Sequence, residues 1–421
     1  MPLDIPTIRA KFPALSKPYI FFDNPAGTQI VEESLARINT YLVNSNSNKG
    51  GQFPIGEASD EVIHQAHAAA ADFLGAARPE EIIFGPNMTT LTFSLSRSLA
   101  LWLEPGDAVV VTNLDHDADV SPWVRITEDR DCRVIQVDFH PEDGTLNMEE
   151  MEAAIAQKPK IVAVGYASNS LGTINPVEKI IEMAHAVGAL VFIDAVQYAP
   201  HGPIDVQKLD CDFLVCSAYK FFGPHVGLLY GKYDLLDRLN AYQVRPAPKT
   251  PPVKFETGTQ NHEGIAGVLG VMEYLEWLGT TYGGHYAERY GDAYTGRALH
   301  LRQAMAAIQA YEYEYMAKML DMLETIPGLT LYGPSDPRRV EGRVPTFSIR
   351  LDGWHPTEAA AALGKAGINV WHGNYYALAV TERLGFEESG GMVRIGAVHY
   401  NTLAEIDKLA AVLGEMAASK Q

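Results

Sequence analysis

Residues 189–224 read ALVFIDAVQYAPHGPIDVQKLDCDFLVCSAYKFFGP, and two short apolar runs stand out within them. Leu190–Ile193 and Phe213–Cys216 have the length and β-branched or aromatic content of buried strands, and each gives way at once to polar residues. The first run delivers Asp194 and then Gln197, and the second delivers Ser217 and then Lys220. Ligands of open parallel sheets sit beyond the carboxyl ends of the strands, so these four side chains are expected to converge on one crevice. Taken singly, each has an ordinary explanation: aspartates cap helices and most lysines are solvated. Ser217-Ala218-Tyr219-Lys220 also matches the S-x-x-K of serine β-lactamases, but that motif opens a helix and is accompanied by S-D-N and K-T-G. Here it follows a strand and neither companion occurs.

The rest of the chain supplies the sheet those strands need. From Glu81 onward strand and helix patterns alternate: EIIFG, a helix opened by Asn87-Met88-Thr89-Thr90, strands at Ala108–Thr112, Val134–Val137 and Lys160–Val164, and helices at Met148–Ala156 and Val177–Val187. Such alternation predicts an α/β fold with a mainly parallel sheet covered on both faces. An earlier helix is expected with Ser59 as its N-cap and Gly75 as its stop. Past Gly227–Tyr230, a proline-rich link leads to FETGTQN and to helical tracts at Gly264–Leu278 and from about Tyr286 to Ile326. Strands at Thr346–Arg350 and Met392–Ile395 mix with helices at Pro356–Lys365 and Leu403–Ala418, the pattern of a smaller α+β domain. With 421 residues the chain exceeds a single core. The expected division is a large domain over 20–285 and a small one formed by 1–19 with 286–421.

Charge and cysteine content narrow the partners. Acidic residues outnumber basic ones by 52 to 33, giving −19, without a Lys/Arg-rich block. That field argues against nucleic acid and anionic membranes as partners. Cys132, Cys211 and Cys216 are too few and odd in number for a disulfide framework. The N-terminus has no apolar signal core and no run is long enough to span a bilayer, so a cytoplasmic protein is expected.

An acid, an amide, a hydroxyl and a lysine at adjacent strand ends meet the needs of pyridoxal 5'-phosphate (PLP). The lysine forms the Schiff base, the acid keeps the pyridine nitrogen protonated and the hydroxyl takes a phosphate oxygen. The chain here resembles the class V aminotransferases, in their cysteine desulfurase and selenocysteine lyase branch, from FFDNPAGTQ at Phe21 to VRIGAVHYNT ending at Thr402. The resemblance implies the PLP-dependent fold type I. It implies Lys220, Asp194 and His116 as catalytic residues, with His116 flat over the pyridine ring. Met88, Thr89, Asn169, Gln197, Ser217 and Tyr219 would join those three around the cofactor. The phosphate site departs from the family's G-T-T at Asn87-Met88, so those two would offer backbone amides only, while Thr89 carries over. Asn169 would contact the phenolic oxygen, and Asn169 and Arg394 the substrate, the arginine through its carboxylate. Thr259 would reach the phosphate of the neighbouring subunit, which implies a homodimer with shared sites. No metal is expected: an EF-hand loop from Asp115 needs Gly at 120 and Glu at 126, and the chain has Val120 and Ile126.

One family feature is missing. Cysteine desulfurases carry a nucleophilic cysteine on a small-domain loop, yet GINVWHGNYYALAV has Tyr375, Tyr376 and Ala377 there, Trp371 stands for a usual arginine, and no cysteine follows Cys216. The expected function is C–S β-elimination from an amino acid or derivative without a persulfide relay. The alternatives are an aminotransferase, an isopenicillin N epimerase-like racemase or epimerase, and a PLP-binding protein without activity.

Overall fold

The computed structural model describes residues 2–420. Seven strands form the larger sheet: β1 (Ile82–Gly85), β2 (Ala108–Thr112), β3 (Arg133–Val137), β4 (Ile161–Gly165), β5 (Leu190–Asp194), β6 (Phe213–Ser217) and β7 (Gly227–Gly231). Their order is β1-β7-β6-β5-β4-β2-β3. All neighbours run parallel except β7, which is antiparallel to both β1 and β6. Every residue of β2, β4 and β6 is buried, as a parallel sheet covered by helices on both faces demands. At the edge, β3 is half-exposed and correspondingly carries Arg133 and Gln136. The α/β fold with a mainly parallel sheet is thus as the sequence predicts, and strand ends move by a residue at most from the expected positions.

A second sheet, β8 (Leu329–Tyr332), β9 (Thr346–Leu351), β10 (Trp371–Gly373) and β11 (Met392–Gly396), is antiparallel in the order β10-β11-β9-β8. It packs its own core, with Phe347, Ile349, Val393 and Ile395 against Met319, Leu323 and Leu409. The helix Gly296–Glu324 serves both cores: Leu301, Ala304 and Ile308 join the larger, Tyr315 to Leu323 the smaller. Ile8, Phe12 and Leu15 near the N-terminus are buried in the larger core. Among the described residues no helix is long and apolar enough to cross a membrane.

Local signals set the helix ends. The Asn87 side chain caps Met88–Ala100 by accepting from the Thr90 amide at 2.9 Å, and Thr402 with Glu405 forms a capping box on Leu403–Ser419. Gly75 ends its helix at φ +78°, the left-handed conformation that glycine adopts without strain. The start of that helix differs from expectation. It runs Pro54–Leu74, and Ser59 lies inside it, its hydroxyl 2.7 Å from the Tyr41 hydroxyl. Proline at the first helical position has its φ already set and no amide to lose, which moves the N-cap from Ser59 to Phe53, six residues upstream. The helix Glu32–Asn44 has no counterpart in the sequence reading; only Ser34 and Tyr41 along it are buried.

Candidate active site

The carboxyl ends of β2, β4, β5 and β6 and the first turn of Met88–Ala100 surround one cavity of about 530 Å³. Nine expected residues line it: Met88, Thr89, His116, Asn169, Asp194, Gln197, Ser217, Tyr219 and Lys220. Strand geometry brings them together. Asp194 is the last residue of β5 and Ser217 the last of β6, its immediate parallel neighbour, while the short helical turn Ala218–Lys220 swings the lysine back over the sheet end.

Each wall is held by identifiable contacts. Ser217 Oγ accepts from the Met88 amide at 3.0 Å, joining β6 to the helix start. The Thr89 amide lies in the first helical turn, where donors have no intrahelical acceptor. Gly227 permits this approach, since a Cβ there would lie 2.5 Å from the carbonyl carbon of Asn87. One Asp194 oxygen accepts from the Val196 amide at 2.8 Å. Gln197 donates to Thr346 Oγ1 at 2.9 Å, so β9 of the second sheet orients a side chain of the first. His116 accepts from the Ala118 amide at 3.0 Å through Nδ1, which fixes its ring, and Tyr376 stacks on it at 5.6 Å between centroids.

The electrostatics follow from burial. Burial first, and then the charge of Arg394, bring the Lys220 amine down to about 7, against the opposing pull of Asp23 and Asp194. Its amine donates to the Pro25 carbonyl. Burial, with Lys220 and Arg394 adding to it, lowers His116 to about 4, so the imidazole is neutral at neutral pH. Asp194 is raised by burial, and the Lys220 charge works against that rise. Asp115 and Asp119 are also raised by burial and by repulsion from Asp194. A cationic ring nitrogen beside Asp194 would relieve a carboxylate now confined among acids.

A wider mouth of about 1190 Å³ opens in front of Lys220 and includes Asn169 and Arg394. Arg394, on β11, is buried; it donates to the Asn169 carbonyl at 3.0 Å and lies 3.5 Å from Asp23. Its Nε and Asn169 Oδ1 are buried without a hydrogen-bond partner within the protein. Tyr375 packs 4.5 Å from the guanidinium.

Thr259 is not brought to this cavity. It is exposed and lines a separate hollow with Asn48, Lys49, Val244 and His262. Asp23, Asp115, Asp119 and the Tyr375-Tyr376 contacts are parts of the site for which sequence reasoning gave no role. For Asp23 a signal existed, because it follows the strand Ile20–Phe21 directly at the turn Asp23-Asn24-Pro25. For the acids of DHDAD the sequence offered only an EF-hand comparison that fails at Val120 and Ile126, and their burial comes from the elements that enclose them.

The cavity fits PLP. It offers hydroxyl and backbone N–H donors that would take a phosphate at the Met88–Ala100 N-terminus, the Asp194 carboxylate that would face a ring nitrogen, the His116 imidazole that would cover a ring face, and a half-buried lysine with a depressed proton affinity.

The family model of the aminotransferases of class V matches residues 20–301 and 293–409. A cysteine desulfurase of Synechococcus elongatus is 31% identical over 97% of this chain, which spans 63% of that relative's length. An aminotransferase-like protein of Gibberella zeae is 31% identical with 97% of each chain covered. The apo structure of cysteine desulfurase from Thermococcus onnurineus superimposes with a TM-score of 0.85 at 26% identity, covering 100% of this chain and 99% of that one. By motif order, sheet topology and whole-length similarity, the chain belongs to the class V aminotransferase family, in its cysteine desulfurase-like branch, with the PLP-dependent fold type I.

Proposed function

We propose that this protein is a PLP-dependent enzyme that cleaves a C–S bond of an amino acid or close derivative by β-elimination, releasing the sulfur as a free thiol or sulfide. The observation that carries the reading is the convergence of Lys220, Asp194 and Arg394 on one cavity and mouth that no cysteine lines among the described residues. Cys211 and Cys216 are buried, with thiol proton affinities raised by burial, and Cys132 lies at the far edge against the Glu104 carbonyl.

Bound PLP supplies an electron sink for a bond broken at Cα. Lys220 would hold the cofactor, and its amine, with a proton affinity near 7, would take and return the Cα proton at neutral pH. Asp194 keeps the ring nitrogen protonated. His116, neutral and locked by Ala118, covers the ring face. Ser217, Thr89 and the first helical turn after Met88 would hold the phosphate, the Met88 amide itself already donating to Ser217; Tyr219 would close the side toward Lys220, and Gln197 and Asn169 would orient the ring oxygen. Arg394 would bind the substrate carboxylate, its buried Nε having no hydrogen-bond partner within the protein. The tyrosine loop occupies the place of a persulfide carrier.

We further infer a cytoplasmic homodimer. Free cysteines suit a reducing compartment. Exposed Phe53, Ile55, Tyr242 and Val244 support a covered face near Thr259, which would complete the partner's phosphate site.

The test is a panel of amino acids given to the PLP-loaded protein, with thiol or sulfide, keto acid and inverted enantiomer measured together. Thiol and keto acid in equal amounts, without a sulfur adduct by intact-protein mass, is the expected result. Keto acid without thiol would make the protein an aminotransferase, and inversion alone a racemase or epimerase. A stoichiometric adduct on a cysteine would restore the persulfide relay.

A further inference from the structure

The mouth in front of Lys220 is much larger than an amino-acid backbone requires, and its walls are aromatic. Phe93, His116, Tyr219, Trp371, Tyr375 and Tyr376 line it together with both groups assigned to the substrate backbone, Lys220 and Arg394. Trp371 is 54% exposed and Tyr376 74%, although large aromatic side chains at a chain surface ordinarily bury most of their area.

The backbone that presents these rings is strained. Tyr375 and Tyr376 have φ of +57° and +59°, two successive left-handed residues, neither of them glycine. Such residues persist where surrounding contacts over-determine them, and they gather at functional sites. Four hydrogen bonds hold this loop. Asn169 donates to the Tyr375 carbonyl at 2.9 Å, the Asp117 amide to the Tyr376 carbonyl at 2.6 Å, the Tyr376 amide to Asn374 Oδ1 at 3.1 Å, and Asn374 Nδ2 to Glu387 at 2.9 Å. Two of the four tie the loop to cavity segments. The exposed ring of Tyr376 is therefore held over His116 by design of the loop, not left there by chance of a mobile tip.

Charge narrows the occupant further. Besides Lys220 and Arg394, the charged residue in the wall is Asp117, whose carboxylate accepts from Ser121 Oγ at 2.7 Å. Among the described residues of one chain no third cation lines this mouth for a second carboxylate on the substrate, and Asp117 would repel one.

We propose that the substrate is an α-amino acid whose β-substituent is a bulky, aromatic or otherwise apolar thioether without a second acidic group, in place of cysteine itself. This rests on the reading of Lys220 and Arg394 as the anchors of the amino-acid end. With a substituent R the balanced reaction is R–S–CH2–CH(NH3+)–COO− plus water giving R–SH, pyruvate and ammonium. The Cβ–S electron pair leaves on sulfur, the Cα proton passes to Lys220, and sulfur departs as the thiol. Neither an oxidant nor a reductant is needed.

The experiment measures dissociation constants of the PLP-loaded protein from the change in its visible absorption. The ligands are S-phenyl-L-cysteine, L-phenylalanine, L-cysteine, L-alanine and S-carboxymethyl-L-cysteine, with thiol and pyruvate followed in parallel. The two aromatic ligands are expected to bind at least about tenfold more tightly than alanine and S-carboxymethylcysteine, consistent with burial of a ring. In Trp371→Ala and Tyr376→Ala this ratio is expected to fall about threefold or more, and in Trp371→Phe to be largely kept. Equal affinity for alanine or the acidic thioether, or an unchanged ratio in both alanine variants, would overturn the proposal. Tight binding of phenylalanine with no thiol from S-phenylcysteine would leave the substrate class standing and remove C–S cleavage. Thiol release from cysteine with no aromatic preference would do the reverse.

Discussion

The depressed proton affinity of Lys220 yields a prediction that can be worked through. An amine at about 7 is half unprotonated at neutral pH. A solvated lysine near 10.5 is free in only about one molecule in 3,000 there, so the site multiplies the reactive form on the order of a thousandfold. The cause is first burial and then Arg394, with Asp23 and Asp194 opposing. Capture of PLP by the apoprotein, followed by stopped-flow visible absorption from about pH 5.5 to 9.5 with Lys220→Ala as the blank, should rise through about pH 7 and level off above it. Substitutions should move the midpoint in opposite directions. Arg394→Gln removes a repelling cation and raises it, whereas Asp194→Asn removes an attracting anion and lowers it. Each shift should be on the order of one pH unit or more, since a unit charge even about 10 Å away is worth about 1.7 kcal/mol at an effective dielectric near 20. A capture rate that keeps climbing toward pH 10 without a plateau would refute the argument, because it would mean that burial does not control this lysine.

Asp194→Asn should retain PLP, since phosphate and lysine contacts remain, but turnover should drop by two orders of magnitude or more; unchanged turnover would take Asp194 out of the chemistry. Arg394→Ala should weaken carboxylate-bearing substrates by about 1.5–3 kcal/mol, tenfold or more, with no matching loss for the corresponding amine lacking the carboxylate. An equal loss for both would make the arginine structural. The shared-site reading of Thr259 predicts that activity falls as the dimer dissociates on dilution, measured by mass photometry alongside turnover. Full activity in the monomer would contradict it.

Much of this site was legible without coordinates, and the reason is the sheet. Asp194 and Ser217 end strands whose apolar runs are unmistakable, and parallel strands place their carboxyl ends side by side, so local pattern alone brought the acid, amide, hydroxyl and lysine to one crevice. The Asn87 cap on the helix from Met88 was readable for the same reason, because one side chain and one amide satisfy it locally.

What escaped the sequence depends on contacts between distant segments. The ion pair of Arg394 with Asp23 spans most of the chain, and the hydrogen bond of Gln197 to Thr346 crosses from one sheet to the other. In DHDAD, Asp115 and Asp119 became buried acids only when neighbouring strands closed over them. The helix from Pro54 was placed late because a serine and two acids imitate a helix start, while the residues packed against Ser59 lie elsewhere. Sequence alone determined the absence of a loop cysteine and the presence of two tyrosines. That those tyrosines adopt left-handed backbone and face Arg394 and His116 was a decision of the tertiary structure, since hydrogen bonds from the distant Asn169 and Asp117 help hold a conformation that tyrosine by itself disfavours.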